Sequence, residues 1–98
     1  MIKRYGFIVK ADGYDHLRDS ADLNVPEFST QVVGVSSDEE AIVVAKEMIG
    51  SGVQVIELCG GFGADSAGYI INSLATDVPI GYVTFSYQEE KKLEQLMK

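Results

Sequence analysis

At 98 residues, with 46% apolar and 23% charged side chains, the chain has the size and composition of one globular domain with one core. Its net charge of −7 argues against nucleic acid, which is held mainly by Lys and Arg neutralising phosphates, and against an anionic membrane surface. One cysteine, Cys59, leaves no internal disulfide and no multi-cysteine metal site, and no apolar run approaches the ~20 residues of a membrane span, so a cytoplasmic protein is expected.

Residues 4–10, Arg-Tyr-Gly-Phe-Ile-Val-Lys, are aromatic and β-branched and read as a first strand. Residues 11–30 are polar and acidic, with apolar anchors at Leu17, Leu23, Val25 and Phe28 that fit no period well; they read as a connection long enough to be a crossover. A second strand covers residues 31–35. Ser36 or Ser37 then caps a helix, and Glu39 or Glu40 completes a capping box. Ala41, Ile42, Ala45, Met48 and Ile49 form the apolar stripe of that helix, which stops at Gly50-Ser51-Gly52. Residues 53–58 are a nearly unbroken apolar run, the mark of a strand covered on both faces. Gly60-Gly61-Phe62-Gly63 turns the chain into a second helix, capped by Asp65 or Ser66 and striped by Ala67, Ile70, Ile71 and Leu74. Pro79 opens a strand over residues 80–85. Ser86 and Glu89 form another capping box, and Leu93, Leu96 and Met97 mark the inner face of a terminal helix.

The order β–connection–β–α–β–α–β–α implies parallel strands joined by right-handed crossovers. The expected fold is a single α/β domain over residues 1–98, with a small, mostly parallel, four-stranded, flavodoxin-like sheet in strand order 2-1-3-4 and flanking helices.

Ligands of open parallel sheets bind beyond the carboxyl ends of the strands. Those ends are Asp12-Gly13, Ser36-Ser37, the turn from Cys59 to Gly63, and Thr84-Phe85. The free N–H groups after the glycine turn can hold an anion, yet the turn lacks the third glycine of a dinucleotide fingerprint and the lysine of a Walker loop. No Lys, Arg or His occurs between Glu47 and Glu90, and Glu57 and Asp65 flank the turn. A phosphate would therefore need Lys3, Arg4, Lys10 or Arg18 brought from elsewhere. A purely structural turn, or a neutral or weakly polar ligand, suits the charge better.

Cys59 stands where a nucleophile can stand, but Glu57 on the same face of the strand opposes its ionisation, and His16 is the only imidazole. A small buried apolar cysteine is the simpler reading. Glu57 needs a partner inside an apolar strand: Thr84 or Tyr82 next door, or a raised pKa that would suit it to acid or base work. Asp12, Asp15, Asp19 and Asp22 lack the alternate-residue spacing of a calcium loop and read as a solvated surface. No metal or cofactor is implied. A connection as long as residues 11–30 is often functional, and it is expected to fold over the carboxyl edge as a lid. At least one of Gly60, Gly61 and Gly63 is expected at positive φ.

The run from Gly52-Val53 through Ile56-Glu57-Leu58-Cys59-Gly60, then Phe62-Gly63 and Gly81-Tyr82-Val83-Thr84, resembles a family of short bacterial proteins catalogued as a domain of unknown function. The likeness extends along nearly the whole chain, including Gln31-Val32-Val33-Gly34-Val35 and the helix after it. A histidine often follows Gly-Tyr-Val-Thr in that family, where this chain has Phe85. That departure weakens any catalytic histidine at this strand end. The resemblance implies a shared fold and a shared pocket, with no activity or cofactor attached.

Two functions fit. One is a small-molecule binder, enzyme or not, with Glu57, Cys59, Gly60, Gly61 and Thr84 at the strand ends and Asp12 and His16 supplied by the connection. The other is a non-catalytic, homo-oligomeric interaction module without a ligand. Strands apolar on both faces need cover on both, and a chain this short buries only about 60–65% of its unfolded surface, so a homodimer or larger assembly is expected.

Overall fold

Residues 20–25 hide a strand in plain view: Ser20, Asp22 and Asn24 alternate with Ala21, Leu23 and Val25, the period of a pleated backbone. The computed structural model describes Met1–Lys98. In it β1 (Arg4–Lys10) is followed by β2 (Ser20–Val25), which Pro26 and Glu27 turn back onto β3 (Phe28–Val35) as an antiparallel hairpin. Then come α1 (Asp38–Gly50), β4 (Val55–Leu58), α2 (Gly63–Leu74), β5 (Ile80–Tyr82) and α3 (Tyr87–Leu96).

The strands lie in the order β2-β3-β1-β4-β5, and all but β2 run parallel. The sheet is thus mixed and five-stranded, where four strands were expected. The four strands read from the sequence do lie second, first, third, fourth. The departure from the flavodoxin-like expectation has a simple cause. Half of the connection after β1 stays in the plane of the sheet as an edge strand, instead of crossing a face, and only residues 11–19 are left as loop.

α1 carries the chain from β3 past β1 to β4, and α2 carries it from β4 to β5. Both crossovers step in the same direction, so right-handed connection puts both helices on one face. There Ile8, Val33, Val35, Ile56 and Leu58 of the sheet pack against Val44, Met48, Ala67 and Ile70. All 13 buried apolar side chains belong to this single cluster, so the protein has one dry layer. The register turns Tyr5, Phe7 and Val9 of β1, Val32 of β3, and Val55 and Glu57 of β4 to the other face, where none is buried. The run 53–58, expected to be covered on both faces, is covered on one: Ile56 and Leu58 are buried, Val55 and Glu57 only half-buried.

Ser37 caps α1 by accepting the Glu40 N–H at 3.1 Å. The other two expected caps do not form. α2 begins at Gly63 with no side-chain cap, so Asp65 lies inside its first turn, and the Ser86 hydroxyl makes no capping bond at the start of α3. α3 buries none of its residues.

α2 ends on Ala75 in the left-handed conformation (φ 46°, ψ 49°), its N–H donating to the Ile71 carbonyl. A Cβ there costs about 1–2 kcal/mol, more than the unfolded-state entropy that alanine saves. Ala75→Gly is therefore expected to raise stability by about 0.5–1 kcal/mol, read as a higher midpoint in urea at unchanged slope. A lower midpoint would show that the residue is not strained.

Candidate functional site

The carboxyl end of β4 is held by its neighbours before it turns. The Cys59 N–H donates to the Ile8 carbonyl at 3.0 Å, and the Phe62 N–H closes the turn on the Cys59 carbonyl at 3.1 Å. Phe62 is buried, which pins the turn to the core. Gly63 then takes φ +74°, the positive angle expected of this turn, and starts α2. On the other side the Val83 N–H reaches the Leu58 carbonyl at 2.9 Å, so residues 83–85 run beside the turn before α3 comes back across it.

Between turn and helix lies a cleft of about 640 Å³. Gly60, Gly61, Gly63 and Ala64 form one wall, residues 82–85 the floor, and Glu90, Leu93 and Met97 of α3 the other wall. The other hollows of the surface measure about 220–340 Å³. The unfilled N-terminus of α2 supplies backbone donors at one side of the cleft. Glu90 is its only charged side chain. No cation lines it, and Lys10 at the end of the neighbouring β1 is occupied: its Nζ lies 2.9 Å from Asp38 Oδ1 and 5.0 Å from the Phe62 ring centroid. Burial pushes the Asp38 carboxyl up, but hydrogen bonds from Lys10 and Ser66 and the Lys10 charge outweigh it and hold the group below its ordinary value. Arg18 is likewise spent on Asp19, at 2.8 Å.

The structure brings Gly60, Gly61 and Thr84 to this cleft and sets the other expected residues elsewhere. Glu57 faces the uncovered side of the sheet, where the Tyr5 hydroxyl donates to it. Its partner is therefore neither Thr84 nor Tyr82, whose strand position turns Tyr82 to the helical face beside Leu58. Burial, then the bond to Glu57 and its charge, push the Tyr5 phenol up to about 12, which keeps it a donor at any physiological pH. Cys59 Sγ accepts the Lys10 N–H at 3.2 Å. Asp12 is exposed at the start of the 11–19 loop.

His16 is drawn to α1. Its N–H and its Nδ1 both lie 2.7 Å from Glu40 Oε2, while Glu40 Oε1 accepts the Ser36 N–H at 2.8 Å and the Ser36 hydroxyl at 3.0 Å. One carboxylate thus ties the loop to the start of α1, and no residue of that loop lines the cleft. The loop is not a lid over β4 and β5. Asp15, His16 and Glu40 offer ligand atoms within 4.8 Å of one another, but the Glu40 oxygens are already filled by these hydrogen bonds.

The chain matches the model of the Family of unknown function (DUF6506) over residues 3–98. It belongs to that family. No curated protein and no solved structure matches it. No helix of this family member is long and apolar enough to cross a membrane.

The apolar stripe of Leu93, Leu96 and Met97 is the sequence signal that puts Leu93 and Met97 on the inner face of the last helix, and both line the cleft. Phe85 belongs to a strand end where a ligand is expected, whereas Glu90 carries no such signal. Tyr5 as the partner of Glu57 could be found only from the register, which sets Tyr5 opposite Val55 and Phe7 opposite Glu57.

Backbone donors from Ser36 and then His16 hold the Glu40 carboxyl at about 2, against an ordinary 4.5. A depressed carboxyl stabilises the fold above its ordinary value and loses that contribution as pH falls through the folded one. The stability lost in Glu40→Gln is therefore expected to be full above about pH 5 and to vanish towards pH 2, measured by urea midpoints across that range. A constant difference would show that the hydrogen bonds do not depend on charge.

Proposed function

We propose that the chain binds a small, largely apolar molecule, neutral or carrying an amine, in the cleft between the turn at residues 60–63 and α3. The observation that carries this reading is that α3 buries none of its residues and keeps only Leu93 half-buried, with a ligand-sized space of about 640 Å³ beneath it. Binding sites for small molecules span about 300–1,000 Å³ and combine apolar walls with a few polar groups. Here the walls are Tyr82, Val83, Phe85, Leu93 and Met97, and the polar groups are the Thr84 hydroxyl, the first N–H groups of α2 and the Glu90 carboxylate.

Charge narrows the ligand class. A helix N-terminus favours an anion by only about 0.3–1 kcal/mol at an exposed site. With no free cation and one carboxylate in the cleft, a phosphate is disfavoured and an ammonium group is matched by Glu90. The chemistry is that of binding. The thiol of Cys59, the imidazole of His16 and the carboxylate of Glu57 all lie outside the cleft, which leaves it without a nucleophile paired to a base.

Titration with 2-phenylethylamine, 2-phenylethanol and phenyl phosphate, followed by amide NMR shifts, tests this. The amine and the alcohol are expected to shift the Gly61, Thr84 and Leu93 amides saturably, with Kd about millimolar for so small a probe. Glu90→Gln is expected to weaken the amine about fivefold, the value of a partly exposed ion pair, and to leave the alcohol unchanged. Saturable binding of phenyl phosphate alone, or shifts at other residues only, would overturn the reading.

A further inference from the structure

β2 lies beyond the reach of the helices, and all six of its residues are exposed on both faces. Its sequence nonetheless distinguishes the two. On the helical side of the sheet it presents Ser20, Asp22 and Asn24, in register with Val33, Gln31 and Ser29. On the open side it presents Ala21, Leu23 and Val25, in register with Val32, Thr30 and Phe28. A strand meant to be solvated on both faces has no reason for this division. Strict alternation assigns one face to a dry interior, and here that face is the uncovered one.

The rest of the open face agrees. Phe7 and Val9 continue it across β1, and the Tyr5 and Phe28 rings stack on it with centroids 6.4 Å apart. Leu23 and Val25 are 65% and 63% exposed, a large loss for residues of this kind. Two carboxylates lie on this face, and both are satisfied within the chain: Glu57 by the Tyr5 hydroxyl, and Asp19, beside Gly34, by the Arg18 guanidinium.

We infer that this face is the interface of a homodimer, two sheets packed face to face about a twofold axis. Three features select a second copy as the occupant. The first is size. Five strands about 4.8 Å apart and some five residues long, at about 3.3 Å per residue, span a plane of roughly 400 Å², a face of the order a small specific interface uses on each partner once side-chain relief is added. The second is charge. A partner of opposite sign would need unpaired charges here to steer and register it, whereas a chain of net charge −7 meets its own copy with least repulsion through a face whose few charges are already paired within the chain. The acidic start of α1 (Asp38, Glu39, Glu40) lies on the opposite side of the sheet. The third is shape. Tyr14 folds over Gly34, where a Cβ would sit 2.8 Å from its ring, and leaves a hollow of about 220 Å³ beside Val9 and Val32 that a side chain of a facing sheet can enter.

The interface is separate from the cleft, so the two readings stand or fall independently. Light scattering after size exclusion, at about 5–200 µM, is expected to give twice the single-chain mass of 10.7 kDa. Leu23→Glu and Val25→Glu place a charge on the face at positions too exposed to matter to the isolated chain. Each is expected to give a single-chain mass with unchanged circular dichroism. Val43→Glu, which adds the same charge at a 47% exposed position of α1, is expected to leave the dimer intact. A wild-type monomer throughout overturns the inference, and co-sedimentation of that monomer with phosphatidylcholine vesicles would reassign the face to lipid. A dimer that survives both β2 variants overturns it too, in favour of pairing through a strand edge or α3. So does a dimer that Val43→Glu dissociates equally, since bulk charge would then be the cause.

Discussion

Two consecutive crossovers that step the same way across a sheet must place their helices on the same face, because each is bound to be right-handed. From β3 over β1 to β4, and from β4 to β5, this chain makes that pair of steps. The consequences run through the molecule. Ile8, on the central strand between Val33 and Leu58, is sealed from solvent, while Phe7 beside it is not. The core is one layer thick, β2 lies outside it, and α3 buries none of its residues against it. Both features given a function above, the cleft under α3 and the bare face of the sheet, follow from that handedness.

Glu40 provides the second, smaller anchor. Its backbone N–H is taken by the Ser37 hydroxyl, and its side chain collects donors from Ser36 and His16. A single residue thereby satisfies part of the N-terminus of α1 and fixes a loop that has little core of its own. It also decides where the loop lies. Held beside the end of β3, residues 11–19 are kept from the end of β4, and the cleft is left to α3.

The helices and parallel strands were legible because each carries a complete local signal: Ser37 with Glu40, the stripe from Ala41 to Met48, the apolar run at 53–58 and the glycine turn. β2 has no complete local signal: Ala21 is too small to mark the alternation it shares with Leu23 and Val25, and an acidic stretch with Asp15, Asp19 and Asp22 looks solvated whatever its pairing. The expectation that both faces of the sheet are covered came from strand composition, which cannot report on which side a crossover passes. Glycines and Thr84 of the cleft could be named because strand ends are fixed by the same local signals. The placements of Glu57, Cys59 and His16 depend on contacts across 24 to 52 residues of chain, and no local pattern encodes those.

The central position of β1 also bears on how the chain reaches this structure. Tyr5 pairs with Thr30 on one side and with Val55 on the other, so the strand nearest the N-terminus waits for partners 25 and 50 residues downstream. Closing such long loops is slow, and topologies rich in distant contacts fold slowly for that reason. On the ribosome, Phe7, Ile8 and Val9 emerge as an apolar segment with nothing to dock on until the hairpin of β2 and β3 is complete, and they acquire a second flank only after β4 has been made. A nascent chain halted before α1 would hold a three-stranded sheet with both faces open, the state most exposed to aggregation and to chaperone capture.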